Sequence, residues 1–166
     1  MLKYEFYDYD WDGKNEYSFD ITGEDYKNLI DVCCKYSSVV SFIFFKRNKN
    51  INLSQELEPY RITCPDSITH TFDHYKYYNL VKNDEIRYYR VCAEVQCILV
   101  HYAESIFEWI QGWDFNNPED PTFYRNDGSV FFTSTIHEGE LSLTPRENEN
   151  VSNIISLDGW SQSENG

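Results

Sequence analysis

The sequence predicts an α+β domain, an antiparallel, hairpin-rich sheet packed against one long helix and two shorter helices. Three observations lead there: short alternating runs of aromatic and β-branched residues at both ends of the chain, turn signals such as Asp127-Gly128 between them, and helical spacing of apolar residues in the intervening segments. A chain of 166 residues is expected to form one domain, 1–166, with a core that needs no staples. The apolar share of 41% and the aromatic share of 17% supply enough burial to offset the ordering entropy.

In chain order, Leu2, Tyr4 and Phe6 fall on one face and Tyr7, Tyr9 and Trp11 on the other, as a strand with a bulge at the change of register requires. "DGKN" reads as a turn and "EYSFDIT" as the partner strand of an opening hairpin. Thr22 and Asp25 resemble a capping box. Tyr26, Leu29, Ile30 and Cys33 then recur at helical spacing, predicting a helix over 23–36. "SSVVSFIFFK" has little polar relief and suits an interior strand covered on both faces. Residues 47–67 are broken by Pro59 and Pro65 and read mostly as loop with one short strand, and "THTFDHYKYYNLV" reads as a further strand.

Between Val91 and Trp113 the apolar residues step by three or four, predicting the long central helix over 86–111 with Gly112 as its stop. "NNPEDP" reads as an exposed loop, and the Asp127-Gly128 turn joins "TFY" to the alternating run 130–136, which turns again at "EGE" before "LSLT". Thr144 to Glu147 has the form of a capping box with Pro145 at the first helical position, predicting a helix over 145–156; residues 157–166 are expected to fray apart from a docked Trp160.

The formal charge is −14, and its distribution is informative. Residues 1–31 carry nine acids and three bases, residues 32–103 seven and nine, and residues 104–166 twelve and two. Such a chain repels nucleic acid and anionic membranes, which are bound through Lys and Arg, and its natural complement is a basic protein. Solubility alone accounts for such a charge equally well. No apolar run approaches the roughly 20 residues of a membrane helix, and the acidic, aromatic start is unlike an export signal, so a cytoplasmic location is expected. Five cysteines without paired spacing read as reduced thiols, mostly in the core.

Motifs for chemistry are sparse. Neither G-x-S-x-G, a phosphate-binding glycine loop nor a zinc-ligand spacing occurs, so no catalytic, cofactor or metal residue is assigned and the protein is expected not to be an enzyme. His137-Glu138 is the one adjacent His-acid pair. Strand neighbours point to opposite faces, so without a turn the two cannot share an ion, and they are too few ligands alone. His70 and His74 on a strand would stand about 13 Å apart, too far for one ion, and His101 is expected at the core edge. The expected contact surface is an acidic and aromatic set in predicted loops: Asp8, Asp10, Trp11, Asp12, Glu119, Asp120, Tyr124, Asp127, Glu138 and Glu140.

The stretch "WDFNNPEDPTFYRNDGSVFFTSTIHEGE" resembles a recurring C-terminal pattern of small bacterial proteins: a Pro-Glu-Asp loop, Phe-Tyr, Asp-Gly, an alternating strand and His-Glu. Such proteins look like cytosolic immunity proteins of polymorphic or contact-dependent toxin systems. The resemblance implies a protein that neutralises a basic toxin, with a nuclease as the expected class, by covering its active site. The alternative from another class is a small hydrolase or metal-dependent enzyme using His137 and Glu138.

Overall fold

The computed structural model describes residues 2–7, 19–46, 50–69, 84–112 and 115–163. In chain order these form β1 (Tyr4–Tyr7), α1 (Gly23–Tyr36), β2 (Val39–Phe44), α2 (Ile51–Leu57), β3 (Arg61–Ile62), β4 (Glu85–Arg90), α3 (Ala93–Tyr102), β5 (Gln111–Gly112), β6 (Phe115–Asn116), β7 (Glu119–Tyr124), β8 (Val130–Thr135), β9 (Glu140–Leu143), α4 (Ser152–Ile155) and β10 (Trp160–Gln162). Eight strands make one antiparallel sheet in the order β10-β1-β9-β8-β7-β2-β4-β3, and β5 and β6 form a separate pair. The class is α+β, as the sequence predicts.

All six residues of β2 are buried, as the apolar run from Val39 to Phe44 demands. Its even-numbered face, Val40, Phe42 and Phe44, joins the main core with Leu29, Ile30 and Cys33 of α1 and Val95, Ile98 and Leu99 of α3. On the other face Val39 packs with Tyr88, Tyr124 and Ile68, the last from the segment after β3. A strand sealed on both faces needs both edges satisfied as well, and β4 and β7 supply the two ladders.

The helical layer is locked by a buried polar relay. The Tyr26 hydroxyl accepts from Trp109 Nε1 at 2.8 Å and donates to the Leu99 carbonyl at 2.8 Å, tying α1, α3 and the turn at Ile106–Glu108 together. Helix α1 spans its predicted residues, but Thr22 does not close a capping box: its hydroxyl donates to the Glu104 carbonyl.

Several elements differ from expectation. Both edges of β1 are taken by β9 and β10 rather than by "EYSFDIT"; the turn of the expected opening hairpin, with residues 8–18, lies outside the described residues, and Thr22 makes an isolated bridge with Ser105. Residues 51–57 form a helix where a loop was expected, because Asn50 caps the Leu53 N–H and Leu53 and Leu57 bury at i, i+4 spacing. The predicted helix 86–111 is divided into β4, α3 and a 3₁₀ turn, since Glu85–Arg90 is claimed by β2 as a ladder partner. The strand expected in "THTFDHYKYYNLV" lies almost wholly outside the described residues. Only Cys33 of the five free cysteines is fully buried, with Cys97 exposed, and His101 is exposed against Tyr102.

The meander β7-β8-β9 follows the predicted turns. At its first tip Gly128 adopts φ +84, and a Cβ there would lie 1.9 Å from the Ser67 carbonyl oxygen, so only glycine lets the 63–69 segment close over this hairpin. The C-terminal segment departs from prediction: helix 145–156 shrinks to α4, and Trp160–Gln162 is not frayed but pairs with β1 as an edge strand. Where the start of the helix was expected, the chain is held instead by Arg125. Its buried guanidinium makes a bidentate pair with Glu149 (2.7 and 2.6 Å) and donates to the carbonyls of Val130 and Thr144. Glu149 also accepts from the Arg146 N–H at 2.7 Å, and the Thr144 hydroxyl is turned to the Val130 carbonyl at 2.6 Å, so Thr144 is not left for a helix cap. Burial works to raise the Glu149 carboxyl, but Arg125 and Arg146 hold it below the usual range.

Arg125→Ala strands a buried carboxylate, and a loss of about 3–5 kcal/mol is expected, read as a drop in the urea midpoint with an unchanged slope. Gly128→Ala combines a strained φ with the Ser67 clash and is expected to cost more than ~1 kcal/mol by the same assay.

Candidate functional site

The segment Pro118–Pro121 reads as a loop but begins β7. Opposite β2 the register runs Thr122↔Ser41 and then Glu119↔Ile43, so Asp120 and Pro121 together face the single residue Phe42. This is a β-bulge, and Asp120 carries its strain as the one described non-glycine residue with positive φ, at 55°. Pro121 has no N–H to give to a ladder, and side chains substitute on the β8 side. Ser134 Oγ donates to the Pro121 carbonyl at 2.9 Å, and the Ile136 N–H donates to Asp120 Oδ1 at 2.7 Å.

The bulge turns both acids inward. Glu119 is 8% and Asp120 0% exposed. Glu119 Oε1 accepts the Gln111 N–H at 2.9 Å. Asp120 Oδ2 has no hydrogen-bond partner among the described residues, and neither has the buried Oε1 of Gln111. On β8 the chain leaves the strand through the 3₁₀ turn Ile136–Glu138, ended by Gly139 at φ 68, and this turn brings His137 over the same spot. Glu119, Asp120 and His137 each offer a ligand atom within 4.8 Å of the other two. Burial raises the Glu119 carboxyl against the opposing pull of Gln111 and His137, and burial pushes Asp120 up to about 7 despite the Ile136 bond. Two carboxyls raised by burial and an imidazole thus meet at one end of the sheet, an arrangement able to bind a cation or exchange protons.

Around this buried pair lies an exposed acidic rim. Glu138 and Glu140 flank Gly139, and Glu140 pairs with Tyr7 of β1, two residues along from Glu5. Partial burial, then repulsion from Glu138 and Glu5, raises the Glu140 carboxyl. His137 Nε2 stands 3.4 Å from Glu138 Oε1, with both side chains open to solvent.

The expected contact set is therefore redistributed. Glu119, Asp120 and Tyr124 are buried in β7 rather than displayed in a loop; the Tyr124 hydroxyl accepts from Ser41 Oγ at 3.3 Å. Asp127 is exposed but sits at the other end of β8 from Glu138, about 20 Å away at ~3.4 Å per strand residue. It pairs with Arg146, which with Ser129 holds its carboxyl far below the usual range. Asp8, Asp10, Trp11 and Asp12 lie outside the described residues. Among the described members of the set, Glu138 and Glu140 are exposed and adjacent to one another. The convergence of Glu119 and Asp120 on His137 escaped sequence reasoning, although two prolines bracketing an acidic pair before a β-run are a signal for a bulged strand.

No known family, curated protein or solved structure matches the chain. No helix among the described residues is long and apolar enough to cross a membrane.

In the unfolded chain Asp120 ionises near 3.8, whereas in the fold it holds its proton to about pH 7. The stability contributed by the protonated carboxyl is complete below the lower value and is lost as pH rises through the upper one. Asp120→Asn keeps the acceptor for Ile136, tolerates positive φ and carries no charge. Relative to wild type in chelator, it is expected to gain stability steadily as pH rises from 4 to 8, by on the order of 1–3 kcal/mol, in urea melts at several pH values.

Proposed function

We propose that the protein is an immunity-type inhibitor that binds a basic protein toxin, with a nuclease as the expected class, in the cytoplasm through the acidic end of the sheet. The observation that carries this reading is the exposed pair Glu138 and Glu140: partial burial and repulsion from Glu138 and Glu5 raise the Glu140 carboxyl against the opposing pull of His137 and of Lys3, which pairs with Glu5, while Arg125 and Arg146, the two bases after residue 103, are engaged with Glu149 and Asp127. A basic partner docking here would replace repulsion by attraction. Opposite fields also speed encounter and cover the partner's own anion-binding surface. The same charge disfavours nucleic acid as a direct ligand.

The test is co-expression with the product of the neighbouring gene, followed by binding isotherms at low and high salt. A one-to-one complex is expected that weakens at least about tenfold on raising salt from 50 to 500 mM and associates more slowly in the Glu138→Lys/Glu140→Lys double variant. A complex indifferent to both changes, or none at all, would remove the acidic rim from the account.

A further inference from the structure

We propose that Glu119, Asp120 and His137 form a binding site for one divalent transition-metal ion, of the Zn²⁺ or Mn²⁺ kind, at the β7 bulge. The site is independent of the partner-binding reading.

An acidic cluster alone would not suffice. The second observation is Asp120 Oδ2, wholly buried and with no donor among the described residues, in a carboxyl held within 4.8 Å of the other two donors. Native folds seldom leave such an atom unanswered, and a buried carboxylate is normally paired or coordinated to a metal. The backbone strain at φ 55 marks the same residue. Strain of this kind collects where a side chain is re-aimed for binding. Oδ1 already accepts from Ile136, so the unused valence of Asp120 is confined to Oδ2.

The donor set selects the ion. Two carboxylate oxygens and one imidazole nitrogen suit Zn²⁺ or Mn²⁺, whereas Ca²⁺ and Mg²⁺ favour oxygen throughout. Donors bound at roughly 2.0–2.2 Å in a tetrahedral site lie about 3.3–3.6 Å apart, so closing the observed group around an ion needs a contraction of up to roughly 1.5 Å. His137 can provide it, since its side chain is 42% exposed and rides on a short turn. Its exposure also sets the direction of entry. The two carboxylates close the inner side, leaving the solvent side for water or another ligand, as in three-donor zinc sites with an open position.

The test uses the whole chain, stripped with chelator and titrated with Zn²⁺ by calorimetry and with Co²⁺ by optical spectroscopy. One ion per chain is expected, with Co²⁺ bands of oxygen and nitrogen ligation and a melting temperature that rises on loading. Asp120→Asn and His137→Ala should each lower affinity by at least the roughly 10–100-fold that outer-shell losses alone produce. His137 is exposed, so its variant reports on ligation even if the buried variant fails to fold. Absence of stoichiometric binding, binding that survives His137→Ala, or a thiolate-to-cobalt charge-transfer band, which would point to exposed Cys97, would each overturn the proposal.

Discussion

Burial of Val39–Phe44 on both faces is the constraint from which the rest of the structure follows. A strand with no solvent-facing side must find ladder partners on both edges and apolar cover above and below, because an unpaired amide inside the core costs more than any single contact returns. The partners are β4 and β7, both far from it in sequence. One cover is the α1–α3 layer stitched by Tyr26 and Trp109; the other is Ile68, brought down by a segment that must clear Gly128. Strand pairing, helix docking and the need for glycine at the hairpin tip all follow from that apolar run.

The candidate site is a by-product of the same constraint. β7 has to serve β2 although prolines bracket its first residues, and it does so by a bulge that places two residues against Phe42. Side chains then take over what the backbone cannot bond. Ser134 serves Pro121 and Asp120 serves Ile136, which anchors the end of β8 and with it the turn carrying His137. Structural repair and the gathering of two acids and an imidazole are therefore one event, and the unused oxygen of Asp120 is what remains after the repair.

Charge divides into two populations. Around Arg125 and Arg146 the acids Glu149 and Asp127 are neutralised, and the desolvated Arg125–Glu149 pair holds the C-terminal segment against the meander. At the opposite end of β8 no guanidinium among the described residues reaches the group around Glu138 and Glu140. The Arg125 and Arg146 pairs fix the fold, whereas Glu138 and Glu140 face outward, with His137 beside Glu138 and the Lys3–Glu5 pair on the neighbouring strand.

Local periodicity carried much of the architecture. Helix α1, the interior character of β2, the Asp127-Gly128 turn and the β7-β8-β9 meander were legible because each is set by residues within a few positions of one another. The failures share one physical cause. The helix expected over 86–111 covers a strand and a helix, and only the ladder to β2 decides where one ends; Thr144 and Glu147 spell a helix start, but the Val130 carbonyl takes the Thr144 hydroxyl. Of the site, the sequence by itself showed acidic residues, prolines and a His-Glu pair, and determined the class of fold and the sign of the charge. Which acids are buried, which face solvent, and that Glu119 and Asp120 meet His137 were decided by tertiary structure alone, because strand pairing brings together residues that no local pattern relates.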